Sequence, residues 1–104
     1  MAVESLVTVT DAELLLIVKN CLNVTGTQFD TTLQLYIAEV QSYLESAGVL
    51  RSVIGSTLAA GCIARGVADL WNYGNGDTKY SNYFYERAEQ LRRIKVEING
   101  SDAT

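Results

Sequence analysis

The sequence predicts an all-α fold: a small bundle of about four helices forming one domain over residues 1–104. Apolar residues recur at steps of three and four through most of the chain, which is the spacing of one helix face. A capping-box pattern precedes the first of these runs, and glycines follow the second and third. A length of 104 residues with 48% hydrophobic content suits a single core.

The first helix is predicted to begin after Thr10, because Thr10 and Glu13 have the spacing of a capping box. The apolar residues that follow are Leu14, Leu15, Ile17, Val18, Cys21 and Leu22. A turn-like stretch at 23–28 leads to a second helix, which Asp30 can cap and Gly48 can end in a left-handed conformation. Its apolar stripe is Leu33, Tyr36, Ile37, Val40, Tyr43, Leu44 and Ala47.

A third helix is predicted from near Ser52 to about Tyr73, with glycines at 55, 61 and 66. Each interior glycine costs a helix about 1 kcal/mol relative to alanine. Three of them indicate that a neighbouring backbone approaches closely, either within the subunit or between subunits. The alternative is a helix broken near Gly55.

Residues 74–77 are predicted to form a loop between two helices, although an Asn-Gly pair between aromatics also allows a hairpin. The last helix covers the run at 81–94, and Glu89 has the spacing to pair with Arg92 and Arg93. Residues 95–98 alternate and allow a short strand. The ends, at about 1–9 and 99–104, are predicted to be flexible.

Charge is uneven along the chain. The net charge is −4, and residues 1–50 carry only Lys19 against six acids, whereas residues 51–104 carry seven bases and six acids. This distribution argues against a nucleic-acid-binding protein, because binding of nucleic acid needs a clustered basic face. It suits subunits that pack head to tail. The longest apolar run, 14–18, is too short to cross a bilayer, so a soluble protein made in a cytoplasm is expected.

The residues offer little for catalysis. The chain has no histidine, and Cys21 and Cys62 fall in apolar helical patterns, so we expect buried free thiols. Asp69 and Asp77 flank the aromatic loop and leave open an acid/base pair or a cation site. The stronger interpretation pairs Asp69 with Arg65 on one helix face and makes Asp77 a turn residue. We therefore predict no enzyme, no catalytic residue, no cofactor and no metal site.

Aromatic residues cluster around the same loop. Four that fall on apolar stripes are predicted to be core: Tyr36, Tyr43, Trp71 and Phe84. Four others cannot all face inward on so small a domain, and some must be exposed, which favours a contact with another protein. The predicted interface residues are Tyr73, Asn75, Asp77, Lys79, Tyr80, Tyr83 and Tyr85.

The order of residues in this region resembles a known family. Residues 63–74, with the sequence IARGVADLWNYG, are followed by Asp77, Lys79, Tyr80, Ser81, Tyr83 and Phe84. This combination is similar to the C-terminal part of the small tailed-phage head-to-tail connector proteins. The general plan of the helices extends the resemblance over most of residues 10–94.

The resemblance implies a structural protein, not an enzyme. Its subunits form a homo-oligomeric ring under the portal protein at the capsid vertex and meet tail or head-completion proteins. Double-stranded DNA passes through without specific binding, no membrane is involved, and the location is the head-tail junction of the virion. The alternative is a small helical adaptor or regulator that binds another bacterial or phage protein, and a small lyase or hydrolase using Asp69 and Asp77 is the third class.

Overall fold

A computed structural model describes residues 2–3, 6–73, 80–98 and 101–102 of the chain. Within these ranges the helices are α1 (Asp11–Leu22), α2 (Asp30–Ser46), α3 (Arg51–Ile54), α4 (Thr57–Tyr73) and α5 (Asn82–Arg92). The strands are β1 (Ala2–Val3), β2 (Lys95–Ile98) and β3 (Ser101–Asp102). The predicted all-α fold is confirmed, and the strand predicted at 95–98 is present as β2.

The helix α4 lies at the centre and packs against α1, α2, α3 and α5. Its inward positions are small or branched, which lets four helices approach one axis. Its buried hydrophobic residues are Ala59, Ala60, Cys62, Ile63, Ala64, Val67 and Leu70. The single core also takes buried residues from each of the other four helices.

The start of α1 and the end of α2 follow the sequence signals. Thr10 and Glu13 form the predicted capping box, with each side chain bonded to the other residue's backbone N–H. At the end of α2, Gly48 has φ +100°, and the N–H of Val49 donates to the carbonyl of Leu44 at 3.0 Å. The predicted left-handed stop is thus confirmed as a Schellman motif.

The predicted cap at Asp30 is wrong. Asp30 is the first residue of α2, its carboxylate pairs with Lys19 at 2.8 Å, and among the described residues no side chain caps the start of this helix.

The prediction of one continuous helix from Ser52 to Tyr73 is wrong, and the alternative of a break near Gly55 is confirmed. The hydroxyl of the buried Ser56 donates to the carbonyl of Val53 and accepts from the N–H of Leu58, so it serves both sides of the break. Residues 7–9 run antiparallel to the break, where the N–H of Val9 donates to the carbonyl of Gly55 at 2.9 Å.

The ends predicted to be flexible contribute backbone pairing. Residues 7–9 form backbone hydrogen bonds with Gly55 and Thr57 at the break between α3 and α4. The strand β1 pairs in parallel with β2, and β2 pairs antiparallel with β3. Among the described residues no helix has both the length and the apolarity to span a bilayer.

Candidate functional site

The predicted interface residues lie partly outside the described residues. Asn75, Asp77 and Lys79 fall there, as does the side chain of Tyr73, whose backbone ends α4. The remaining three, Tyr80, Tyr83 and Tyr85, are described and surround the N-terminus of α5. They have three different environments.

Tyr80 belongs to an aromatic cluster against the core. Its ring stacks on Phe84 with centroids 4.3 Å apart, and Tyr43 lies 5.3 Å away. Burial of the hydroxyl, with the nearby charge of Glu39, raises the pKa of Tyr80 to about 12. Tyr80 is therefore a partly buried residue that helps to hold the start of α5, in addition to any contact it makes with a partner.

Tyr83 and Tyr85 present aromatic surface to solvent. Tyr83 is 60% exposed, and the guanidinium of Arg65 lies over its ring, 5.2 Å from the centroid. Tyr85 is 39% exposed, with its ring edge-on to Tyr43. These two are the predicted interface residues whose described side chains are exposed.

The predicted core aromatics divide in a similar way. Phe84 is fully buried, whereas Tyr36, Tyr43 and Trp71 are partly buried and pack against the core from its edge. Trp71 makes an edge-on contact with Phe29, with centroids 5.3 Å apart. The prediction of a core position is confirmed in full for Phe84 alone among the four.

Asp69 is buried, with 6% of its surface exposed, and its partner differs from the predicted one. Its carboxylate accepts a hydrogen bond from the N–H of Ser81 at 2.9 Å, and the Ser81 hydroxyl caps α5 by accepting from the N–H of Phe84. Arg65 does not pair with it, because its guanidinium lies over Tyr83 on the outer face of α4. Asp69 therefore fixes the entry to α5.

Of the two acids that flank the aromatic region of the sequence, Asp69 is described. Asp77 lies outside the described residues, so its distance from Asp69 is not defined. Within the described ranges no group of three or more Cys, Asp or Glu side chains could hold a metal ion. Cys62 is buried, and its burial raises the pKa of the thiol to about 11, which keeps it protonated and unreactive at neutral pH.

Cys21 is exposed, which corrects the prediction of a buried thiol. It lines an open cleft of about 300 Å³ at the surface. The cleft is lined by Cys21 of α1, by Gly61, Ala64, Arg65 and Ala68 of α4, and by Tyr83 of α5. Because Gly61 has no side chain, nothing at that position covers the thiol.

Sequence reasoning missed this cleft as a site, although it identified the signal. Gly61, Arg65 and Ala68 follow the spacing of one helix face, and an interior glycine indicates close approach. What the sequence did not contain was which side of α4 would remain open.

Comparison with known proteins adds no relative: no family model, no curated protein and no solved structure matches this chain.

Proposed function

We propose that the chain is a structural subunit of a phage head-to-tail connector, forming a ring beneath the portal that joins the capsid vertex to the tail. The observation that carries the proposal is the exposure of two aromatic rings, Tyr83 with Arg65 over it and Tyr85, in the part of the sequence that resembles the connector family. Tyrosine and arginine are enriched in the cores of protein interfaces.

Charge supports assembly from copies of one subunit. The helices α1 and α2 carry five carboxylates and one lysine, a net charge of −4. The helices α4 and α5, with Arg93 and Lys95 directly after them, carry five bases and three acids, a net charge of +2. A ring built head to tail needs two different, complementary patches on every subunit, and these halves supply them.

The net charge of −4 on each subunit also suits a channel for DNA. A wall with excess carboxylates repels phosphates, so a duplex slides through without being held. In this proposal the partners are other copies of the chain, the portal protein, and tail or head-completion proteins, at the head-tail junction of the virion.

Analytical ultracentrifugation and negative-stain electron microscopy test the proposal, with the protein alone and with a tailed-phage portal protein added. We expect a ring, either formed alone or nucleated by the portal. A stable one-to-one complex with a soluble protein would instead favour the adaptor. A protein that stays monomeric in both conditions would contradict the connector.

A variant with Tyr83→Ser and Tyr85→Ser should lose the ring, with a fall in melting temperature much smaller than that of Phe84→Ala, because Tyr83 is 60% exposed and Tyr85 contacts Tyr43 and Phe84 only edge-on. Val7→Ser is the matched control, since Val7 is an exposed apolar residue on the segment beside Gly55. Rings that survive the double substitution would mean that this aromatic surface is not used.

A further inference from the structure

The cleft on the outer face of α4 is lined mainly by small residues of that helix. These are Gly61, Ala64 and Ala68, with Arg65 beside them, and Cys21 and Tyr83 complete the lining. Among the described residues, a Cβ atom placed on Gly61 would meet no heavy atom within 4 Å apart from its own helix's backbone and its chain neighbours. The cleft therefore has free space next to Gly61.

Gly61 destabilises α4, and no close contact within its own subunit compensates for this among the described residues. A glycine inside a helix is less favourable than alanine by about 1 kcal/mol. At Gly66 the close approach of Val40 and Phe84 accounts for the glycine, but among the described residues no such neighbour approaches Gly61. A neighbour from outside the subunit would account for it.

The outer face of α2 offers a matching ridge. Leu35 is 66% exposed, and Glu39 follows one helix turn later, also exposed. The exposed Leu16 of α1 lacks this pattern, because the residue one turn after it is Asn20. Among these two exposed helix leucines, only Leu35 therefore has a carboxylate at the following turn.

The cleft and the outer face of α2 match in the spacing of their residues and have opposite charges. Gly61 and Arg65 are four residues apart, as are Leu35 and Glu39, a rise of about 6 Å in each helix. The stacking of Arg65 on Tyr83 holds the guanidinium in place and leaves its N–H edges for a carboxylate. The helix α2 carries three acids and no base, whereas the charged residue that lines the cleft is Arg65.

We propose that this cleft receives α2 of a second copy of the chain, with Leu35 against Gly61 and Glu39 facing Arg65. The inference rests on the proposed self-assembly and specifies its contact. The two surfaces lie on different helices, and we take the contact to be head to tail, so that each copy passes it on to the next.

Charge reversal tests the contact between Glu39 and Arg65. Arg65→Glu or Glu39→Arg alone places like charges together and should weaken self-association at least about tenfold, measured by sedimentation. The variant with both substitutions should recover the association, because every contact then has opposite charges again. Mixing the two single variants should also recover it. Glu86→Arg, at an exposed acid of α5, is the control and should change nothing.

Cross-linking tests the contact at the glycine. Leu35→Cys, paired with the native Cys21 of a neighbouring copy, should give a ladder of disulfide-linked multimers under mild oxidation. The ladder should disappear when Cys21→Ser is added, and Val7→Cys should give none with Cys21.

The outcomes separate this inference from the connector proposal. Rings that survive both single charge reversals, with no ladder from Leu35→Cys, would overturn this contact while the connector stands. When rings form only on the portal, the same variants are scored on that assembly. A chain that is monomeric in every condition would overturn both.

Discussion

The two faces of α4 differ in what meets a glycine. On the inner face, a Cβ at Gly66 would lie 2.7 Å from Cε1 of Phe84 and 2.9 Å from both γ-carbons of Val40. On the outer face, a Cβ at Gly61 would lie in open space. Five residues turn a helix by about 140° beyond one full turn, so the two positions belong to different environments.

This difference shows that a glycine in a helix has no single meaning. At Gly66 the missing side chain lets α2 and α5 pack onto α4. At Gly61 it leaves a cleft beside an exposed thiol and an exposed tyrosine. Substitutions on the two faces should therefore have effects of different size and of opposite sign.

The largest effect is expected for Phe84→Ala on the inner side. Phe84 is fully buried at the junction of α2, α4 and α5, and removing its ring should lower the free energy of unfolding by about 3–5 kcal/mol. Trp71→Ala should cost less, because Trp71 is only partly buried. Urea unfolding of both variants measures the difference. Equal losses would mean that the indole at the edge is as important to the core as Phe84.

Gly66→Ala is next in size. The added methyl group overlaps Val40 and Phe84, and overpacking of this kind costs about 1–3 kcal/mol, which exceeds or offsets the gain of about 1 kcal/mol in helix propensity. We expect a lower free energy of unfolding in urea. A double-mutant cycle with Val40→Ala provides the control, since the smaller side chain should relieve part of the overlap. A stabilised Gly66→Ala would show that the inner face is looser than its distances indicate.

Local signals predicted much of the fold. The capping box at Thr10, the left-handed Gly48 and the pairing of Glu89 with Arg92 and Arg93 each depend on residues within a few positions of one another. The break near Gly55 remained an alternative, because the sequence around it is also compatible with a continuous helix. It is stabilised by residues 7–9, which are distant in sequence.

The candidate site was less predictable, because exposure depends on which helices meet. Cys21 has the same spacing from Val18 as a core residue, yet its neighbour across the cleft is a glycine. Tyr80 lies before the start of α5 and outside any helical period, but it stacks on Phe84. Helix periodicity indicates which residues share a face, and packing between distant segments decides whether that face is covered.

The alkaline stability of the inner side gives a third test. The pKa of Tyr80 is raised from 10.0 to about 12, so the folded protein holds this proton more tightly than the unfolded chain. The stabilisation is complete below pH 10 and should be lost as the pH rises through about 12. Thermal melts between pH 9 and 12 should show a shallower decline for Tyr80→Phe. Because Cys62 titrates near 11, the comparison belongs in a Cys62→Ala background. If the melting temperature fell with pH equally for Tyr80 and Tyr80→Phe in that background, ionisation of the Tyr80 hydroxyl would not contribute to the loss of stability.

The smallest effect on folding, and the opposite sign, is expected for Gly61→Ala on the outer face. The methyl group enters open space, so the isolated subunit should gain up to about 1 kcal/mol from helix propensity, seen as a higher urea midpoint. Assembly should respond in the other direction, because the methyl group occupies the place proposed for Leu35 of a second copy. Ala12→Gly, at an exposed position of α1, is the reciprocal control: it should lower the midpoint by a similar amount and leave assembly unchanged. A Gly61→Ala protein that is more stable and assembles as before would contradict the contact between Gly61 and Leu35 of a second copy.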